Sequence, residues 1–219
     1  MHFKTVFFDL DGTLTDPKEG ILNSVRYALS AMKWSLPPDT QMTDFIGPPL
    51  FEAFFRIAGM SEEEAVRAVS EFRTYFSTKG ILENRLFDGI PALLAALRER
   101  GIGVALATGK PEVFAKRILE HFGIAEYFTT VCGIPLDDER GDKVEVLLRA
   151  MRAEGVEDPR TCLMVGDRRY DVSAAHACGM PACGVLFGYG SHAELSSAGA
   201  EYLFADIPAL ADFLLAEGN

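Results

Sequence analysis

The sequence has little of what would direct a protein to a membrane or to an oxidising compartment. No window offers the run of about 18 apolar residues that a membrane-spanning helix needs. The four cysteines form no Cys-x-x-Cys pair, and Cys132, Cys162 and Cys183 lie in apolar segments. We therefore expect buried free thiols rather than a zinc site or a disulfide framework, and a cytoplasmic protein.

Positive charge is also scarce. Lysine and arginine number 21 against 32 aspartates and glutamates, which gives a formal net charge of −11. This balance argues against a nucleic-acid polymer or an anionic membrane as a partner. Asp9 interrupts the N-terminal apolar stretch, so we expect that stretch to be too short for a signal peptide. With 219 residues, 48% of them hydrophobic, the chain allows one domain or a core domain with a sizeable insertion.

What the sequence does contain is a pair of carboxylates directly after an apolar run. Residues 5–8 are aromatic and β-branched, which predicts a buried strand. Asp9 and Asp11 follow, and because they are two residues apart in an extended chain, their side chains point the same way. Two converging like charges are tolerated most easily with a cation between them. Asp-Gly is also a common turn signal, so the alternative is an acidic turn that only closes the strand.

From residue 88 onward the predicted elements alternate between helix and strand. The predicted helices are 88–100, 111–122, 142–154, 171–178 and 208–215. The predicted strands are 103–107, 128–132, 162–166, 182–186 and 201–204. This alternation indicates a parallel sheet covered on both faces.

The stretch between the first strand and residue 85 is helical in pattern. Residues 18–34, 48–59 and 61–79 have the apolar spacing of helices, and Ser61 with Glu64 predicts a capping box. We therefore predict an α/β fold: a Rossmann-like three-layer core with a parallel sheet, plus an inserted all-helical domain. The predicted core comprises residues 1–15 and 86–219, and the predicted insertion comprises residues 16–85.

Polar residues follow several of these strands, and in parallel sheets ligands bind beyond the carboxyl ends of the strands. Thr108 and Gly109 come at an expected helix start, where a hydroxyl and exposed amides favour phosphate. Asp167 and Asp171 follow another strand, and Lys143 opens a helix at the same end. Taken singly, Thr108 could only shape a turn, Asp171 could only stabilise a helix N-terminus, and Lys143 could simply be solvated.

Together these residue types suit phosphoryl chemistry. Clustered carboxylates can hold Mg²⁺, which prefers a few carboxylates plus waters. One aspartate can attack phosphorus to give an aspartyl-phosphate, and a second can protonate the leaving alkoxide and then activate water. Thr108, the Gly109 amide and Lys143 would stabilise the equatorial oxygens of the transition state.

The motifs resemble those of the haloacid dehalogenase (HAD) superfamily hydrolases with a helical cap, in the branch similar to phosphoglycolate phosphatases, over essentially the full length. The family's Asp-x-Asp-Gly-Thr motif is matched by residues 9–13 and its Gly-Asp-x-x-x-Asp motif by residues 166–171. Thr108 matches its strand-end Ser or Thr, and Lys143 matches its lysine. A finer resemblance is to bacterial 5′-nucleotidases. It rests on residues 46–50, 108–111 and 166–171, on Arg140 and on the loop 188–190.

The resemblance implies a role for each matched residue. Asp9 would be the nucleophile and Asp11 the acid/base. The expected catalytic residues are Asp9, Asp11, Thr108 and Lys143. The expected phosphate-binding residues are Gly12, Thr108, Gly109 and Lys143. Mg²⁺ would be bound by the Asp9 carboxylate, the Asp11 backbone carbonyl and Asp167, with Asp171 in support. The helical insertion would be a mobile cap with hinges near Asp16–Pro17 and residues 86–89.

Arg168 departs from the family pattern, since a Ser or Thr often stands there. Its side chain either brings positive charge to the metal end of the site or projects to solvent.

The implied activity is that of an Mg²⁺-dependent phosphomonoesterase acting on a small phosphorylated metabolite, such as a 5′-nucleotidase or a phosphoglycolate phosphatase. A sugar phosphomutase uses the same reagents and stays open, as does a phosphoacceptor or binding protein without turnover. A receiver domain lacks the inserted helices, and a dehalogenase lacks the second aspartate. Neither the substrate nor the oligomeric state can be read from the sequence.

Overall fold

A computed structural model describes residues 3–38, 42–138 and 141–216. The strands are β1 (Thr5–Phe8), β2 (Thr15–Asp16), β3 (Arg85–Leu86), β4 (Gly103–Pro111), β5 (Thr130–Ile134), β6 (Cys162–Gly166), β7 (Ala182–Val185) and β8 (Tyr202–Phe204). The α-helices are α1 (Lys18–Ala31), α2 (Leu50–Arg56), α3 (Glu62–Tyr75), α4 (Ile90–Glu99), α5 (Glu112–His121), α6 (Lys143–Ala153), α7 (Arg169–Ala177), α8 (His192–Ala198) and α9 (Ile207–Leu215).

Six strands form one parallel sheet in the order β5-β4-β1-β6-β7-β8. The central strand is β1, whose last residue, Phe8, pairs with Leu106 of β4 and with Val165 of β6. The residues that follow these three strands therefore meet at one edge of the sheet. The α/β fold with a parallel sheet that the sequence predicts is confirmed.

The alternating side chains of β1 enter two hydrophobic clusters. Val6 and Phe8 belong to one cluster and Phe7 to the other, and none of the three side chains is exposed to solvent. A strand buried on both faces has a continuous apolar sequence, which is the pattern of residues 5–8. The first cluster continues from the sheet into the helical segment, where it includes Val25 and Phe54.

The helices α1 to α3 lie in the chain between β2 and β3, and these two short strands pair antiparallel through Thr15 with Leu86 and Asp16 with Arg85. The predicted capping box is present: Ser61 Oγ accepts a hydrogen bond from the Glu64 amide at 3.3 Å, and the Ser61 amide donates to Glu64 Oε2 at 2.9 Å. After α3 the chain continues as a π-helical turn, Phe76–Gly80, where the sequence predicted a single helix to residue 79.

The structure differs from the sequence-based expectations at several places. Strand β4 continues to Pro111, so Thr108 and Gly109 lie in a strand and not at a helix start. The pairing of β4 with β5 is irregular between Ala107 and Pro111 and resumes at Ile134, which explains the extension. The ribbon β2–β3 and helix α8 were not predicted.

The four cysteines are free, as expected, but Cys178 is only partly buried. Among the helices of the described residues, none combines the length and apolarity that a transmembrane span requires.

Candidate active site

The turn after β1 carries the first two predicted site residues. Asp9 is buried, and its amide donates a hydrogen bond to the Val165 carbonyl of β6 at 2.9 Å. The chain then turns at Gly12, whose φ is +82°. A Cβ at Gly12 would collide with the carboxylate of Asp167. Glycine at this position therefore lets the turn backbone approach the next aspartate closely.

Three aspartates converge at this edge of the sheet. Carboxylate oxygens of Asp9, Asp167 and Asp171 all lie within 4.8 Å of one another, and all three residues are buried. The Asp167 carboxylate accepts hydrogen bonds from the Thr13 hydroxyl at 3.4 Å and from the Tyr189 amide at 2.8 Å. The structure thus brings together carboxylates that are far apart in the sequence.

Lys143 joins two of these carboxylates. Its ammonium lies 2.6 Å from Asp9 Oδ1 and 2.7 Å from Asp171 Oδ1. Lys143 is the first residue of α6, and Asp171 is in the first turn of α7, where it also accepts a hydrogen bond from the Arg168 amide at 3.0 Å. The predicted position of Lys143 at the site edge of the sheet is therefore correct.

A second lysine, which the sequence analysis did not single out as a site residue, pairs with Asp11. The Lys110 ammonium lies 2.5 Å from Asp11 Oδ2, and the two side chains are 6% and 15% exposed. The Lys110 amide donates to the Thr108 hydroxyl oxygen at 3.2 Å. Thr108 and Lys110 lie in the part of β4 where the pairing with β5 is irregular, so strand alternation alone does not place their side chains on one face. The position of Lys110 two residues after Thr108 was the one signal in the sequence that could have identified it.

Burial and charge shift the pKa values of these groups. Burial, with Asp171 and Asp9 adding to it, holds the pKa of Asp167 well above its usual range. Burial also raises the pKa of Asp11, although Lys110 acts in the opposite direction. Burial raises the pKa of Asp171 to about 6 against the lowering effect of Lys143. For Lys143 burial acts to lower the pKa, but the Asp171 and Asp9 carboxylates outweigh it and raise the pKa.

The acidic cluster fits a divalent cation. Three buried carboxylates face one another with one lysine between two of them, so the negative charge is only partly compensated. The donors are all hard oxygens, the ligands that Mg²⁺ prefers. Burial first, and then the neighbouring Asp171 and Asp9 carboxylates, raise the pKa of Asp167, and a bound cation would offset the repulsion among the carboxylates.

A cavity of about 370 Å³ opens over these groups. Its polar end is lined by Asp9, Asp11, Thr108, Gly109 and Lys143, whereas Gly12 packs against Asp167 outside the lining. A second wall comes from the helical segment and is largely apolar. The residues of that wall include Ile21, Phe45, Pro48, Leu50, Phe72 and Phe76. The cavity therefore joins a charged end to an apolar end, as small-molecule sites commonly do.

Arg168 does not project to solvent. Its Nε pairs with Glu194 Oε1 at 2.9 Å, and its Nη1 donates to the backbone carbonyl of Ile46 in the helical segment. Gly47, with φ of +107°, leaves room for this guanidinium, because a Cβ there would lie 2.5 Å from Arg168 Nη1. Arg168 thus connects the Gly166–Asp171 motif to the loop at Ile46. Arg140, the other arginine singled out from the sequence, lies outside the described residues.

The sequence profile of the haloacid dehalogenase-like hydrolases matches residues 6–185. The chain belongs to this family. A solved structure, a predicted phosphatase from Clostridium acetobutylicum, superposes with a TM-score of 0.94 at 40% identity and covers 99% of this chain and 100% of that chain.

Three curated relatives show how the family's names vary. A 5′-nucleotidase of Pseudomonas aeruginosa is 41% identical over 214 residues, which cover 98% of this chain and 96% of that protein. The tyrosine-protein kinase PtkA of Mycobacterium tuberculosis is 44% identical over 185 residues, which cover 84% of this chain but only 62% of PtkA. A phosphoglycolate phosphatase of Agrobacterium fabrum is 30% identical over 188 residues, 83% of this chain and 80% of that protein.

These comparisons confirm the predicted family and the predicted enzyme class, a phosphatase. The roles assigned to individual site residues stay predictions, as do the boundaries of the core and the insertion.

Proposed function

We propose that the protein is an Mg²⁺-dependent phosphomonoesterase that works through an aspartyl-phosphate on Asp9. The observation that carries this proposal is the position of Asp9: buried at the carboxyl end of the central strand, 2.6 Å from the Lys143 ammonium, and in the lining of the cavity. A carboxylate so placed can reach a phosphoryl group bound at the polar end of the cavity.

In the first step an Asp9 oxygen forms a bond to phosphorus while the ester P–O bond breaks. The electron pair leaves on the alkoxide oxygen, which takes a proton from Asp11. In the second step Asp11 accepts a proton from water, the water oxygen attacks phosphorus, and Asp9 is released with inorganic phosphate. Thr108, the Gly109 amide and Lys143 would hold the equatorial oxygens.

Asp9, Asp167 and Asp171 would hold the Mg²⁺, together with the Asp11 backbone carbonyl. When bound, the cation offsets the phosphate charge and the mutual repulsion of the carboxylates. Lys143 would hold Asp9 and Asp171 in place, because it contacts both.

For the substrate we favour a nucleoside 5′-monophosphate over 2-phosphoglycolate. The cavity of about 370 Å³ is larger than a two-carbon acid needs, and much of its lining from the helical segment is apolar. An apolar wall beside a charged end suits a ligand that carries both a base and a phosphate. The name of the 41% identical relative points the same way.

The helical segment would act as a cap that closes over this substrate, with residues 16–85 as the cap and residues 1–15 and 86–219 as the core. The β2–β3 ribbon supports this division, because the chain enters the helical segment through β2 and returns from it through β3, and the two strands are paired. Two hydrogen bonds would belong to the closed state. Arg168 donates to the Ile46 carbonyl, and Arg117 donates to the Ser77 carbonyl at 3.1 Å.

We propose a cytoplasmic enzyme without nucleic-acid polymer or membrane partners, in keeping with its four unpaired cysteines and net charge of −11.

The test is phosphate release from a panel of nucleoside monophosphates, 2-phosphoglycolate, sugar phosphates and a phosphotyrosine peptide, ranked by kcat/KM. We expect nucleoside 5′-monophosphates to rank first. A higher rank for 2-phosphoglycolate would overturn the substrate assignment, and release from none of the panel would overturn the phosphomonoesterase itself. Sugar phosphate isomerised without phosphate release would indicate a phosphomutase.

A further inference from the structure

Among the described residues that line the cavity, Lys110 is a buried charged residue to which the proposed mechanism gives no task. It lies near the end of β4, two residues beyond Thr108, and is 9% exposed. A lysine is seldom buried to this extent unless it is paired. Its partner is Asp11, 99 positions earlier in the chain, at 2.5 Å from Nζ to Oδ2.

The two oxygens of Asp11 have different surroundings. Oδ2 receives the Lys110 ammonium, whereas Oδ1 is buried and has no hydrogen-bond partner among the residues that the structure describes. An ammonium group only donates hydrogen bonds, so the oxygen that it holds acts as an acceptor. Among the described residues, the Asp11 carboxyl group is therefore held through Oδ2 alone.

The ammonium of Lys110 also contacts a residue of the helical segment. It lies over the ring of Phe76, 4.5 Å from the ring centroid, and Phe76 packs edge-on against Phe114 of α5 at 5.4 Å. A cation over an aromatic face is stabilised, more so when water is excluded. Lys110 thus has a fixed position between β4 and the segment that carries Phe76.

We propose that Lys110 is a positioning residue for Asp11: through its contact with Oδ2 it fixes the orientation of the carboxyl group that protonates the leaving-group oxygen. The proposal rests on the proposed function, in which Asp11 donates the proton that the alkoxide takes. Lys110 itself exchanges no proton and forms no bond to the substrate in this scheme. The two lysines of the site then have separate tasks, since Lys143 holds Asp9 and Lys110 holds Asp11.

The experiment compares two leaving groups. A nucleoside 5′-monophosphate leaves an alkoxide, which needs a proton, whereas p-nitrophenyl phosphate leaves a stabilised phenolate, which does not. The measured quantity is kcat/KM with Mg²⁺ present, because it reports only the steps up to the first irreversible one, the departure of the leaving group. The variants are Lys110→Met, Lys110→Arg, Asp11→Asn and the exposed control Lys116→Met, each assayed at the pH where it is most active.

We expect Asp11→Asn to lose about 10² to 10⁴-fold in kcat/KM on the nucleotide and far less on the aryl ester. Lys110→Met should lose at least about 10-fold more on the nucleotide than on the aryl ester, since a mispositioned acid fails only where a proton is needed. Lys110→Arg keeps the charge and should show a smaller loss of the same selectivity, which also serves if Lys110→Met does not fold. Lys116→Met should match the wild type on both.

Equal losses on the two substrates in Lys110→Met and Lys110→Arg would overturn the positioning role, as would no loss in either. The selectivity of Asp11→Asn separates this outcome from a failure of the proposed function. If Asp11→Asn itself loses equally on both substrates, the assignment of Asp11 as the acid is what fails.

Discussion

The Lys143 ammonium lies 2.6 Å from Asp9 Oδ1, and this ion pair joins the first helical residue of α6 to the end of the central strand. The same ammonium reaches Asp171, so one cation compensates two buried carboxylates. In the described part of the chain, Lys143 is the one lysine that forms an ion pair with Asp9.

Replacing Lys143 by methionine should lower kcat by about 10² to 10³-fold, because a charge that stabilises the transition state is lost. It should also lower the free energy of unfolding by about 3 to 5 kcal/mol, since two buried carboxylates lose their partner. Denaturant unfolding and phosphate release measure the two effects. The control is Lys116→Met, whose exposed ion pair with Glu112 should matter little. Unchanged stability in Lys143→Met would contradict the role of the ion pair.

Addition of Mg²⁺ should stabilise the protein, because the cation relieves the repulsion among Asp9, Asp167 and Asp171. At an Mg²⁺ concentration of about 100 times Kd, the free energy of unfolding should rise by about 2.7 kcal/mol. For a protein of this size, each kcal/mol corresponds to a rise in Tm of about 2 to 4 °C. Activity should be lost in EDTA and return with Mg²⁺. Differential scanning fluorimetry and phosphate release measure these effects.

Asp167→Asn removes one of the three carboxylates and should abolish the Mg²⁺-induced rise in Tm, while its Tm without the cation should equal or exceed that of the wild type. A rise in Tm of the same size in this variant would show that the cation binds elsewhere.

Gly47→Ala should weaken closure of the proposed cap. The substitution places a Cβ at 2.5 Å from Arg168 Nη1 and forces an alanine to a φ of +107°. We expect a higher KM with a smaller change in kcat, and a loss of about 1 to 2 kcal/mol in stability from the backbone conformation.

Gly59→Ala is the matched control. Gly59 also has a positive φ, +67°, but a Cβ there has no neighbour within 4 Å. It should show a similar loss of stability and an unchanged KM. Equal values of KM in the two variants would exclude a role for the Arg168 contact.

The pKa of Asp16 gives a pH-dependent prediction. Burial acts to raise this pKa, but hydrogen bonds from Tyr189 and Arg85 outweigh it and hold the pKa below the ordinary value of 3.8. A carboxyl with a lowered pKa stabilises the fold above its unfolded-state pKa and loses that contribution as the pH falls through the folded-state pKa. The stability advantage of the wild type over Asp16→Asn should therefore shrink below about pH 4.

Denaturant unfolding in EDTA between about pH 7 and pH 3 measures this difference. Tyr189→Phe removes the phenol that donates to Asp16 and keeps the amide that donates to Asp167, so it should show a weaker pH dependence than the wild type. A gap between wild type and Asp16→Asn that stays constant with pH would contradict the prediction.

Much of the sheet and its edge could be predicted from the sequence, because each buried strand is a short apolar run with polar residues directly behind it. Residues 5–8 and 162–166 were predicted with the observed bounds. Parallel strands place their carboxyl ends at the same edge of a sheet. The proximity of Asp9, Asp167 and Asp171 could therefore be predicted without knowledge of side-chain contacts.

Lys110 was not recognised as a site residue because its environment depends on distant residues. The Thr108–Pro111 segment has the pattern of a helix start, and a lone lysine is usually solvated. Its burial follows from Asp11 and from Phe76, which reach it only once the helical segment has packed against the core.

The β2–β3 ribbon and helix α8 were missed for a related reason. Two-residue strands such as Thr15–Asp16 have no periodicity to detect, and their pairing is set by the chain's return at Arg85–Leu86. Helix α8 has seven residues, of which only Leu195 is buried, so it has no apolar stripe.

The most direct test of the central claim is the site of the phosphoryl group on the enzyme. Asp11→Asn, which lacks the base for the second step, is mixed with p-nitrophenyl phosphate and Mg²⁺, quenched, and mapped by peptide mass spectrometry after borohydride reduction. Nucleophilic attack by Asp9 predicts one phosphoryl group per chain and reduction at position 9 alone. A phosphoryl group on another residue, or turnover that persists in Asp9→Asn while the exposed control Asp212→Asn behaves as wild type, would contradict it.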